Sequence, residues 1–72
     1  MQFQLKDEYI TLAQLLKACD VVSSGGEAKE YLMYEEVFLN GVPENRRGKK
    51  IRGGDVVETN GIRIEVQWIY KV

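Results

Sequence analysis

The stretch "SSGGEAKEYLMYEEVFLNGVP", residues 23–43, changes its hydrophobic period partway along, and that change decides the fold class. In its first part Ala28, Tyr31 and Leu32 recur at spacings of three and four, which places them on one face of a helix. Ser24 stands before that helix as an N-cap, and Glu27 three residues on completes a Ser-x-x-Glu capping box. Met33 falls on the polar side, between Lys29 and Glu30. It is either a contact for a partner or a side chain partly covered by a neighbouring loop. From Val37 the period becomes two. Val37 and Leu39 point inward, Asn40-Gly41 suits the positive φ angles of a tight hairpin turn, and Pro43 belongs at an edge or in a loop.

Both flanks extend the same reading. Upstream, "MQFQL" alternates through Phe3 and Leu5 as a short strand. Leu12, Leu15, Leu16 and Cys19 then mark a first helix, opened by a Thr11/Gln14 capping box. Downstream, "DVVETNGIRIEVQWI" is a hairpin about Asn60-Gly61. Counting from the turn sets Thr59 opposite Ile62, Glu58 opposite Arg63 and Val57 opposite Ile64, with Ile62, Ile64, Val66 and Trp68 inward. Two helices followed by a small, mostly antiparallel sheet make the fold class α+β. One domain over residues 1–72 is expected. Nothing in the pattern requires a second copy, so a monomer is favoured; an edge near Phe3 or Phe38 is where another copy would pair.

Composition excludes several functions. The chain has no histidine and one cysteine, Cys19, so neither a disulfide nor a usual zinc pattern is available, and no metal or other cofactor is expected. A single free thiol without a secretory signal points to the cytoplasm. The apolar runs are too short to span a membrane. The adjacent Glu35 and Glu36 diverge by about 100° on a helix, so they form no catalytic dyad. "SSGGEAK" lacks the Walker spacing. The N–H groups of Gly25 and Gly26 still open a helix, where phosphate is attracted; the alternative is that Ser24 simply caps it. No catalytic residue is assigned.

Charge is uneven. Residues 44–54, "ENRRGKKIRGG", carry five of the ten basic groups and one of the eleven acidic ones, a local +4 against −5 for the rest. Arg46, Arg47, Lys49, Lys50 and Arg52 make a concentrated positive patch suited to an anionic partner. The surrounding glycines give the backbone freedom to follow a phosphate chain, and counterion release would make such binding salt-dependent. No aromatic residue lies within the run, so base stacking is not expected from it. Solubilisation alone is the plain alternative.

Taken in order, these motifs resemble the S-four RNA-binding domain, or alpha-L motif, and the chain is similar in size to its small stand-alone bacterial members, the YaaA-like proteins. The resemblance rests on Ser24, Ala28, Tyr31-Leu32, Val37, Leu39, Asn40-Gly41 and Gly54-Asp55, and covers roughly residues 9–66. Two positions depart from the family: Gly25 stands where an arginine is usual, and Glu35 where a glycine ends the second helix. The resemblance implies a non-catalytic protein of ribosome assembly or translation that binds structured RNA, such as a stem or junction of ribosomal RNA. Contact would run through Ser24, Gly25, Gly26 and Lys29 of helix two together with the five loop cations. The alternative is a protein-interaction module whose basic loop meets an acidic protein, with Met33 and Tyr34 as apolar anchors. A β-grasp sulfur carrier shares the size and pattern but needs a C-terminal Gly-Gly, and this sequence ends "WIYKV".

Overall fold

A computed structural model describes residues 1–69. The elements run β1 (Gln2–Leu5), β2 (Ile10–Thr11), α1 (Leu12–Ala18), α2 (Gly25–Tyr34), β3 (Phe38–Leu39), β4 (Val42–Pro43), β5 (Lys50–Ile51), β6 (Val56–Thr59) and β7 (Ile62–Trp68). Five strands form one sheet in the order β1-β7-β6-β3-β4, and β2 pairs with β5 in a separate two-stranded ribbon. The fold is α+β, but the helices follow two short strands instead of opening the chain. β1 lies parallel to β7, with Phe3 beside Val66, while the other pairings are antiparallel. Residues 70–72, on which the exclusion of a sulfur carrier rested, lie outside the described residues.

The hairpin register is the expected one: Thr59 faces Ile62, Glu58 faces Arg63 and Val57 faces Ile64. Both Asn-Gly turns have positive φ at each residue, 52° and 82° at Asn40-Gly41 and 48° and 79° at Asn60-Gly61. That twist matches the twist of the strands they join. Pro43 sits on the edge strand β4, whereas Phe38 lies in β3, between β6 and β4. The sheet edges are therefore β1 and β4, and Phe38 is not at one.

One buried cluster joins the layers: Leu12, Leu15 and Leu16 of α1, Ala28 and Leu32 of α2, and Leu5, Ile51, Val57, Ile64 and Val66 from the strands. Trp68 departs from the expected inward alternation and is 44% exposed. At the end of β7 the core has run out, and the surface facing the indole is the backbone of Gly53; a Cβ there would run into Cδ1 and Nε1 of the ring.

Each helix end is fastened by a specific device. Thr11 and Gln14 form the reciprocal capping box of α1. At its other end Val21 N–H reaches Leu16 O and Asp20 N–H reaches Lys17 O, a Schellman pattern with Asp20 (φ 65°) where glycine is usual. For α2, Ser24 Oγ accepts from Glu27 N–H, but the Glu27 carboxylate returns to Ser23 instead of Ser24. The expected box is thus displaced by one residue. Glu35 ends α2 in an extended conformation (φ −108°, ψ 147°), so no left-handed residue is needed there.

A hydrogen-bonded chain then ties α2 to the β6–β7 hairpin. Thr59 Oγ1 donates to Glu36 O at 2.8 Å, so its one hydrogen is spent and Tyr31 Oη must donate to it, at 2.7 Å. Asn60 Nδ2 donates to Tyr31 Oη at 2.8 Å. Thr59 is 3% exposed, so these bonds have little competition from water. Thr59→Val conserves volume but leaves the Tyr31 hydroxyl and Glu36 carbonyl short of a partner, and should lower unfolding free energy by about 1–3 kcal/mol. Val42→Ala, at a 63% exposed site, should stay within about 0.5 kcal/mol, and urea titration of the two variants beside the parent checks both values.

Candidate nucleic-acid interface

The basic run is held more firmly than its glycines suggest. Leu12 N–H donates to Lys49 O at 2.8 Å and Ala13 N–H to Arg47 O at 3.1 Å. The first amides of a helix have no partner within it, and here the loop carbonyls supply two. Lys50 and Ile51 pair with Thr11 and Ile10 as β5, and the fully buried Ile51 plugs the segment into the core. The backbone of this stretch is therefore tied down at Arg47, Lys49, Lys50 and Ile51, against the freedom expected from its glycines.

The loop's exit is fixed as well. Asp55 Oδ2 accepts from Arg52 N–H at 2.8 Å, and Asp55 Oδ1 accepts from Asn40 Nδ2 at 3.0 Å. Asn40 Oδ1 in turn accepts from Val56 N–H at 2.8 Å. This network gives a physical reason for Asn40-Gly41 and Gly54-Asp55 to occur together: one turn holds the other, and between them they set where the cationic segment rejoins the sheet.

These constraints leave an open groove of about 1020 Å³ between α2 and residues 45–48. Gly25, Lys29 and Met33 form one wall at spacings of four along α2, with Leu32 behind them. Asn45, Arg46, Arg47 and Gly48 form the other, and Thr11 and Ala13 lie at the base. The groove thus brings together Gly25, Lys29, Arg46 and Arg47 of the residues expected from sequence. Met33, 64% exposed, lies in its wall.

The remaining candidates lie apart from it. Lys49 is partly buried and lends its carbonyl to α1. Lys50 and Arg52 gather over Tyr9, with the Lys50 ammonium 5.0 Å and the Arg52 guanidinium 5.9 Å from the ring centroid. At the head of α2, Ser24 and Gly26 are exposed. The Ser24 oxygen is engaged as the cap, and the Glu27 carboxylate occupies Ser23, so Gly25 and Gly26 are the amides there without a side-chain acceptor. Sequence reasoning missed Tyr9 because it lies 41 positions before Lys50, and only the β2–β5 pairing joins them. Asn45 was missed too; its polarity alone gave no signal.

Electrostatics distinguish the loop cations. Arg46 clamps Glu44, Nε to Oε2 at 2.9 Å and Nη2 to Oε1 at 3.1 Å. Hydrogen bonds from the guanidinium outweigh the opposing effect of partial burial, and with the Arg46 amide and the charges of Arg46 and Lys49 they lower the Glu44 pKa to about 2. Among the described residues, Arg47, Lys49, Lys50 and Arg52 form no ion pair. Burial pushes the Cys19 thiol upward, against a small opposing effect of the N-terminal charge, which favours its neutral form. No group of three or more His, Cys, Asp or Glu among the described residues is placed to hold a metal, and no described helix is long and apolar enough to cross a membrane.

Comparison with known proteins identifies the family. Residues 3–67 match the S4 domain, and the chain belongs to that family. Over 54 residues it is 56% identical to a Bacillus subtilis (strain 168) protein described as "Probable ribosome maturation protein RlbA", with 75% of this chain and 76% of that one covered.

The Glu44 clamp has a pH signature. A carboxylate whose folded pKa lies below its unfolded value stabilises the fold above the unfolded value and loses that contribution as pH falls through the folded one. The stability difference between the parent and Glu44→Gln should therefore be constant above the ordinary value of 4.5 and shrink as pH falls to about 2. Urea midpoints measured along that range check it.

Proposed function

We propose that this chain is a non-catalytic RNA-binding protein that seats a phosphate-lined face of structured RNA in the groove between α2 and residues 45–48, and that it acts in ribosome maturation or translation. The observation that carries this reading is the meeting of Lys29 with Arg46 and Arg47 across one open groove, on backbone fixed before any ligand arrives. A preformed site spends less binding energy on ordering itself. Membership of the S4 family and the name of the Bacillus relative supply the support for RNA and for the ribosome.

Roles follow from position. Lys29 and Arg47 neutralise phosphates from opposite walls. Arg46 presents a guanidinium held in orientation by Glu44, with part of its charge already compensated. The amides of Gly25 and Gly26 approach phosphate at the helix end, while Ser24 keeps that end formed. Lys49, Lys50 and Arg52 extend the positive field beyond the groove. Gly25, lacking the arginine usual in the family, narrows the contact at that end to backbone and leaves more of the work to Lys29. Readout of this kind follows the shape and phosphate spacing of a folded RNA.

A second reading, a protein-interaction module, draws on the exposure of Met33 (64%) and Tyr34 (79%), which would anchor an acidic protein beside the same loop. RNase sensitivity of complexes recovered from cells separates the two.

The direct test is binding of the purified chain to a structured ribosomal RNA fragment across a salt series. Affinity should fall with a log–log slope of about −0.7 to −0.9 per phosphate contacted. Arg47→Ala and Lys29→Ala should each weaken binding across RNA sequences and reduce that slope by about one contact. Unchanged affinity in both variants would remove the groove from the interface.

A further inference from the structure

Outside the groove, the turn at Arg52-Gly53 touches a different aromatic ring with each of its two residues. Arg52 stands over Tyr9, and the Gly53 backbone lies against the indole of Trp68. Tyr9 is 38% exposed and Trp68 44% exposed. We propose that this turn carries a second RNA contact, a stacking site for unpaired bases formed by Tyr9 and Trp68, with Lys50 and Arg52 as its phosphate partners. The proposal rests on the RNA reading above and adds to it a single-stranded segment flanking the structured part.

Three features support that occupant. Aromatic faces beside unpaired cations match the two halves of a nucleotide, base and phosphate. Lys50 and Arg52 form no ion pair among the described residues, so no carboxylate neutralises them, and it is their charged ends that lie over the Tyr9 ring in cation–π contact. The rings are also set in place before binding. Gly53 admits the indole where any side chain would collide with it, and the Asp55 carboxylate fixes the turn through Arg52 N–H. Asp7 and Glu8 share a hollow with Tyr9, so a phosphate would approach from the Lys50 and Arg52 side.

Trp68 is the chain's one tryptophan, so its emission reports this site alone. The full chain is titrated with a ribosomal RNA stem, with the same stem bearing an unpaired flank of about four nucleotides, and with the unpaired strand alone. The flank should tighten binding by about tenfold per stacked base and quench the emission. Gly53→Ala, which displaces the indole, and Tyr9→Leu should both lose the gain from the flank. Gly53→Ala should still bind the bare stem as the parent does. A flank that neither tightens binding nor quenches Trp68, while the stem still binds, would overturn this site and leave the groove standing. Quenching by the unpaired strand when the stem fails to bind would support this site and overturn the groove.

Discussion

Two hydrogen bonds, from Leu12 N–H to Lys49 O and from Ala13 N–H to Arg47 O, hold the cationic loop against the first turn of α1. A helix begins with amides that nothing within it can satisfy. Side chains or water usually meet that need, and α1 uses Thr11 for one of them. By giving two more to the cationic loop, the fold converts an obligation of the helix into a clamp on the loop. The backbone is thereby committed inward, and the side chains of Arg46, Arg47, Lys50 and Arg52 are left exposed.

The clamp would be of little use if α2 were free to drift, because the groove has α2 as its other wall. The chain from Asn60 through Tyr31 and Thr59 to Glu36 prevents this by coupling the end of α2 to the β6–β7 hairpin. Asn40 and Asp55 do the same for the loop's exit. Both walls are thus referred to one sheet, in which two Asn-Gly turns set the β3–β4 and β6–β7 registers. Burial of Leu12, Leu15, Leu16 and Ile51 beneath them supplies the cohesion, and the polar ties supply the alignment.

Within the charged segment, number and availability are different quantities. Five basic side chains in seven positions suggest a uniform positive strip. The fold divides them instead. Arg46 is clamped to Glu44, Arg47 faces the groove, Lys49 is partly buried, and Lys50 and Arg52 turn toward Tyr9. The strip becomes two surfaces with different chemistry, one a groove lined by helix and loop and the other the Tyr9 ring with two cations over it.

What the sequence determined by itself is what short-range chemistry controls. Capping residues and a 3.6 period marked both helices, and Asn60-Gly61 fixed the hairpin register because side chains alternate strictly along a strand. The order of motifs from Ser24 to Asp55 pointed to the family, and the clustering of Arg46 to Arg52 pointed to an anionic partner. The parallel pairing of β1 with β7 and the two-residue ribbon of β2 with β5 were decided only in three dimensions. Each joins segments far apart in sequence, and a local period can mark a strand without naming its partner. The same holds for Tyr9 beneath Lys50 and for Trp68 against Gly53. Trp68 had the spacing of a core residue, but the core ends before it, and where a core ends depends on how the layers meet.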